Sequence, residues 1–220
     1  MTDDLLEKIL ESPQLPKYAA QIQRRLEKER YKRLEFYNII KESDKVEFIN
    51  GRIIYQTPIR KQHGNASDNL MVLIKAYSDV KDLGYTGHEK YVITLTRNDY
   101  EPDICFWRKE KSDNFTDEQI QFPAPDFIVE ILSKSTESRD RGIKMEDYAA
   151  HGVEEYWLVD PKHNTIEQYI LDENQFSLLR KAKNDDVVKS QAIEGFEIPV
   201  MAIFDKKENI PVLSALLKKS

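Results

Sequence analysis

Asp103, Glu130 and Lys144 are the residues whose types and spacing could do chemistry. Glu130 lies inside Phe127-Ile128-Val129-Glu130-Ile131-Leu132, a run apolar enough to form a strand covered on both faces. A carboxylate in such a strand costs several kcal/mol unless a basic group or a metal ion meets it. Side chains alternate along a strand, so Asp126, Ile128, Glu130 and Leu132 share one face. Four residues along one strand span about 13 Å, which stops Asp126 and Glu130 from sharing an ion. Asp103 is the better partner. It directly follows Pro102 at the start of a second apolar run, and adjacent strands lie only about 4.8 Å apart. Asp126 is then expected to bond the segment 133–141 or a helix end elsewhere.

Lys144 falls on the helix expected after Glu130. Met145, Tyr148 and Ala149 make an apolar stripe there, and Lys144 borders it through Tyr148. The lysine could point toward the sheet, where it would activate a water or stabilise developing phosphate charge. It could equally be a solvated residue paired with Asp140 one turn earlier.

The elements that must position these groups are legible in outline. Apolar residues Ile22, Leu26, Tyr31, Leu34, Tyr37 and Ile40 recur at helical spacing, giving a long or broken helix. Pro13 and Pro16 are expected to separate it from a short helix around residues 4–12. Asn50-Gly51 between two β-rich runs signals a hairpin. A helix is expected over 65–80, strands over 91–96, 104–107 and 126–132, and a helix from about 133 to 151 ended by Gly152. Two further strands flank the turn-rich residues 160–164, with weaker ones near 176–179 and 187–188. Gly84 and Gly87 read as punctuation, 108–121 as a polar loop, and the tail carries no clear assignment. The domain division expected is a helical extension over 1–45, a core domain over 46–200 and a tail over 201–220. Helices around a strand–helix–strand unit indicate an α/β or α+β fold.

Bulk properties narrow the function. A chain of 220 residues with 40% hydrophobic content can bury a real core. It has no apolar stretch of the roughly 18 residues that span a bilayer. The acidic start Met1-Thr2-Asp3-Asp4 does not resemble a secretory signal, so a cytoplasmic protein is expected. The single Cys105 excludes an internal disulfide and reads as a core thiol. A net charge of -6 gives no global pull toward nucleic acid, although local basic patches can still hold phosphates. Residues 17–45 are such a patch, with nine Lys or Arg against five Asp or Glu. That helix is read as a solvated face, a dimer helix or a DNA clamp.

Other candidates carry less chemistry. His63 could contact phosphate or be structural. His88, His151 and His163 lack metal-ligand spacing. Ser133, Ser135 and Thr136 are expected to cap the following helix. Arg139 and Arg141 could touch phosphate or sit in solvent.

Pro102-Asp103 followed by Glu130 resembles the PD-(D/E)XK nuclease signature. Pro125-Asp126-Phe-Ile-Val-Glu130-Ile-Leu-Ser133-x-Ser135-Thr136, Arg139-Asp140-x-x-x-Lys144, and Gly152-Val153-x-Glu155-Tyr156-Trp157-Leu158-Val159-Asp160-Pro161 resemble more closely the Uma2 family of that superfamily. Glu47 within Val-Glu-Phe-Ile-Asn-Gly51, then Pro58 and His63, match the family's early block. The resemblance covers about residues 45–170. It implies a four- to five-stranded mixed sheet with flanking helices, and a divalent metal, Mg²⁺ or Mn²⁺. It implies hydrolysis of DNA phosphodiesters, with Asp103 and Glu130 as ligands and Glu47 as a further ligand or supporting acid. Leu132 stands where the signature lysine belongs, and the resemblance moves that role to Lys144. A homodimer that cuts two strands is expected. The alternative is an inactive nucleic-acid-binding or interaction protein on the same scaffold.

Overall fold

The computed structural model describes residues 2–41 and 43–218; Met1, Glu42 and residues 219 and 220 lie outside them. The chain opens with two helices, α1 (Thr2–Leu10) and α2 (Leu15–Ile39). Pro16 falls in the first turn of α2, where its missing N–H is not needed, so it starts the long helix rather than dividing the two. β1 (Val46–Ile49) and β2 (Arg52–Tyr55) form the hairpin, with Asn50 and Gly51 at φ 51° and 76°. Both turn residues need positive φ in a two-residue loop of this twist, which is why Asn-Gly specifies it.

α3 (Lys61–Lys81), β3 (Gly84–His88), β4 (Val92–Thr94), β5 (Asp99–Tyr100) and β6 (Ile104–Arg108) come next. A short α4 (Lys109–Ser112) and β7 (Gln121–Phe122) interrupt the polar stretch before β8 (Phe127–Ile131). The helical segment after β8 comes in three pieces: α5 (Glu137–Arg139), a π-turn (Asp140–Lys144) and α6 (Met145–Ala150). β9 (Glu155–Asp160), β10 (Thr165–Asp172), β11 (Gln175–Lys183), β12 (Val187–Lys189) and β13 (Glu197–Pro199) follow, and α7 (Met201–Phe204) and α8 (Lys206–Lys218) close the described chain.

The main sheet is mixed and six-stranded, in the order β11-β10-β9-β8-β6-β3. β8 and β9 run parallel through the α5–α6 crossover, while β6 and β8 are antiparallel. The expected four to five strands become six because β3 extends the far edge. Its Gly84-Tyr-Thr-Gly-His sequence hides it, yet Gly84 through His88 pair with Arg108 through Ile104. A second sheet, β2-β1-β5-β4-β7, lies over one face of the first.

Alternation along β8 builds both sides. Phe127, Val129 and Ile131 join Leu70, Leu73 and Ile74 of α3 in one core. Ile128 joins Tyr148, Tyr100 and Ile93 in the other. At about 1.5–3 kcal/mol for each fully buried apolar side chain, this packing can carry one buried carboxylate on the strand. The tail also contributes to the first core, through Ile203 and Leu216. Asn209 Nδ2 donates to Asn69 O at 3.0 Å and to Ala202 O at 2.9 Å, fastening α8 to α3 and α7.

The basic character of α2 is partly internal. Arg33 grips Asp99 through Nε–Oδ2 at 2.6 Å and Nη2–Oδ1 at 2.8 Å, and also reaches Leu95 O at 2.7 Å. Phe36 packs on Phe48, with ring centroids 5.6 Å apart.

Candidate active site

The candidate site lies between the two sheets. Glu47 alternates with Val46 and Phe48 on β1, so its carboxylate turns inward. Glu130 reaches the same space from β8. Ile104 pairs with Val129, so Asp103, just before the rung, stands beside Glu130, just after it. The two positions that strand geometry favoured are therefore cross-strand neighbours.

Lys144 points inward. The helical segment is kinked at Gly142, which leaves helical geometry at φ −113° and ψ −109°. Lys144, at ordinary helical angles one turn before the buried Tyr148, has a side chain only 2% exposed. Its Nζ lies 2.6 Å from Glu47 Oε1, 2.9 Å from Glu130 Oε1 and 3.4 Å from Asp140 Oδ1. The solvated-pair reading is thus corrected: Asp140 is its most distant carboxylate partner, and both are buried. Tyr148 Oη donates to Glu130 Oε1 at 3.2 Å, and the Tyr100 ring lies 5.9 Å from Lys144 Nζ.

Asp103 is held on both oxygens. The Ile131 amide donates to Oδ2 at 2.8 Å, Lys45 Nζ donates to Oδ1 at 2.9 Å, and His63 Nε2 lies 3.5 Å from Oδ1. Burial alone would raise the Asp103 pKa, but His63, Lys45 and the amide outweigh it and hold the carboxyl well below its usual range. Glu130 goes the other way. Burial pushes it well up, and Asp140, Asp103 and Glu47 add to this against the pull of Lys144. Burial would lower Lys144, yet Glu130, Glu47 and Asp140 raise it well above an ordinary lysine, so the ammonium stays charged. Asp140 is raised by burial.

Two members of this cluster had no sequence assignment. Lys45 stands two residues before Glu47, and the period of a strand places both on one side. Glu101, two residues before Asp103, is buried, accepts the Val46 amide at 3.0 Å and is pushed up to about 7 by burial and by Glu47. The same two-residue spacing was the available signal for each.

The remaining candidates separate. Asp126 accepts the Arg108 amide at 2.7 Å and meets Lys111 of α4 at 2.8 Å, so it serves a short helix and not the 133–141 segment. Arg141, for which phosphate contact and solvent were equally open, is held by Glu167 at 2.6 Å and Glu137 at 2.8 Å. Arg139 is partly buried, and its Nε has no hydrogen-bond partner among the described residues. Ser133 bonds Ser135 and Thr136 through hydroxyls at 3.1 and 3.0 Å instead of capping α5. His88 bonds Ser67, His151 bonds Thr96 and His163 bonds Asp160. Cys105 is buried, as expected of a core thiol.

Glu47, Glu101, Asp103, Glu130 and Asp140 thus outnumber the basic groups that meet them, the ammonium groups of Lys45 and Lys144, with Lys90 acting on Glu101 and His63 beside Asp103. Such a surplus of buried carboxyls must be met by protons or by a cation. Among the described residues no three His, Cys, Asp or Glu side chains converge into a ready cage. Mg²⁺ needs only one or two carboxylates, because it keeps several waters. The all-oxygen donors of Glu47, Asp103 and Glu130 suit it, and Glu47 Oε2 is buried without a hydrogen-bond partner among the described residues.

The sequence model of the family Uma2, described as "Putative restriction endonuclease", matches residues 29–201. The chain belongs to the Uma2 family. A solved structure described as "a putative nuclease belonging to DUF820 from Anabaena variabilis ATCC 29413" shares the fold at a TM-score of 0.66. It is 19% identical, and the alignment covers 77% of this chain and 95% of that one. Among curated proteins, none matches the chain. The Uma2 match begins inside α2, whose second half carries the Arg33 and Phe36 contacts to the β1–β5 region. No described helix is long and apolar enough to cross a membrane.

Proposed function

We propose that this Uma2 protein is a metal-dependent endonuclease that hydrolyses DNA phosphodiester bonds. Asp103 and Glu130 would hold Mg²⁺ or Mn²⁺, with Glu47 as a further ligand. The observation that carries this reading is the surplus of carboxyls over ammonium groups in one buried patch, together with the unpartnered Glu47 oxygen. When bound, the ion would lower the pKa of a water and neutralise charge on the phosphate.

The chain's own residues have separable tasks. The Ile131 amide fixes Asp103 in one orientation, so its Oδ1 stays directed into the site. Lys144, charged and nearly immobile between Glu47 and Glu130, would orient the attacking water and stabilise negative charge on the phosphate. Tyr148 steadies Glu130. His63, buried beside Asp103, would support a phosphate from the α3 side.

We assign the protein a homodimeric state, in which two sites cut two strands. Supporting this, α1 and α2 expose Leu6 at 55%, Ile22 at 54% and Leu26 at 47%. The second reading is an inactive nucleic-acid-binding protein, favoured by the lack of a three-donor cluster among the described residues.

Supercoiled plasmid incubated with pure protein separates the two. The nuclease reading expects nicked and linear products with Mg²⁺ or Mn²⁺, none with EDTA, and loss of cleavage in Asp103→Ala and Glu130→Ala. Cleavage that survives both substitutions would remove the assigned site, and an intact plasmid throughout would favour the inactive scaffold.

A further inference from the structure

We propose that Lys45 is a phosphate-contacting residue that guards Asp103 in the metal-free protein and passes to the scissile phosphate when the ion binds. This rests on the nuclease reading of the site.

The two oxygens of Asp103 are held differently. Oδ2 is taken by the Ile131 amide, which belongs to β8 and cannot move without breaking the strand. Oδ1 is the oxygen left for a cation, and Lys45 Nζ sits on it at 2.9 Å, with His63 Nε2 farther off at 3.5 Å. An ion and the Lys45 ammonium therefore compete for one atom.

The two lysines of the patch differ in what they can do next. Lys144 meets three carboxylates and is 2% exposed, so it has no path out. Among the described residues Lys45 pairs with Asp103, with Glu89 and Glu130 adding weaker attraction, and at 15% exposure it lies nearer solvent than Lys144. Its backbone is anchored at the base of the hairpin, where Gln56 N donates to Lys45 O at 3.0 Å. A fixed backbone with four rotatable side-chain bonds lets the ammonium change partners while β1 stays in place. A cation on Asp103 removes the attraction that holds Lys45 and repels it. A nucleic-acid phosphate arriving at the same place offers the nearest new negative charge. Lys45 then adds positive charge on the side of the phosphate opposite Lys144's buried position.

The test uses Lys45→Met and Lys45→Arg in the full chain, with thermal unfolding as the folding control. Mn²⁺ binding without nucleic acid is followed by electron paramagnetic resonance. Duplex binding is followed by fluorescence anisotropy with Ca²⁺ as the ion. In Lys45→Met the competitor is gone, so Mn²⁺ should bind tighter, on the order of tenfold. The same variant should bind duplex about tenfold more weakly, with a salt slope smaller by about 1. Lys45→Arg should recover duplex binding. Mn²⁺ affinity that falls in Lys45→Met, or duplex affinity and salt slope that stay as in wild type, overturns the assignment while leaving the nuclease reading intact. If wild-type protein binds neither Mn²⁺ nor duplex, both fall together.

Discussion

Replacing Lys144 by Met keeps most of the side chain's volume and removes its charge, leaving Glu47, Glu130 and Asp140 facing one another in a buried space. Breaking a buried ion pair by removing one partner costs roughly 3–5 kcal/mol, and here the partner is shared by three carboxylates. For a chain of 220 residues this corresponds to a drop in Tm of roughly 6–20 °C. The cost should depend on pH. Glu130 and Asp140 already have folded-state pKa values raised above the unfolded ones, so the stability they contribute is present at low pH and lost as pH rises. Removing Lys144 raises both further. The penalty should therefore be full near pH 8 and shrink toward pH 5, where protons replace the ammonium. Urea unfolding followed by circular dichroism, in EDTA at pH 5, 6.5 and 8, measures it. Lys144→Met with Glu130→Gln should regain part of the stability without regaining cleavage. A penalty below about 1 kcal/mol, or one independent of pH, would refute the shared-counterion argument.

Three further outcomes follow from other parts of the fold. Glu155 is a buried carboxylate taking hydrogen bonds from Trp157, Gln168, Ser190 and the amides of Gln191 and Ala192 at 2.6–2.8 Å, so Glu155→Ala should cost about 3 kcal/mol or more in urea unfolding. Arg33→Ala releases α2 from Asp99 and Leu95 and should cost about 2 kcal/mol, with proteolysis of residues 15–39 accelerated before the core is cut. Glu167 is held down to about 2, chiefly by Arg141 against the opposing effect of burial, with Lys181 and Tyr169 adding to it. Its stabilisation is present above its usual 4.5 and lost as pH falls toward 2, so Glu167→Gln should cost roughly 2–3 kcal/mol at pH 7 and little near pH 2.

The parts of the site that lie on regular strands were readable from residue order. Period-two alternation put Glu130 on the inner face of β8, and strand rise excluded Asp126 as its co-ligand. Strand spacing likewise put Asp103 beside Glu130, and its run does directly neighbour β8 in the sheet. What could not be read depended on departures from regularity. The helical stripe through Tyr148 left Lys144 either inward or solvated, and the kink at Gly142, together with the carboxylates it meets from β1 and β8, could not be read from residue order. β3 is disguised by glycines whose role is close pairing with β6, where Gly87 leaves room for Cys105 and Tyr91. For Lys45 and Glu101 the two-residue spacing hinted at a shared side but not at the contacts. Their significance lies in contacts across long sequence separations, to Asp103 and to the Val46 amide, that only the packing of β1 against β5 creates.

The central claim is that Asp103 and Glu130 share a divalent ion. Anomalous diffraction at the manganese edge, from crystals soaked in Mn²⁺, tests it most directly. The account predicts one strong peak roughly 2.1 Å from Asp103 Oδ1 and from a Glu130 carboxylate oxygen, with Lys45 moved off Asp103. A peak elsewhere, or none with Lys45 still bonded to Asp103 at full Mn²⁺, would contradict it.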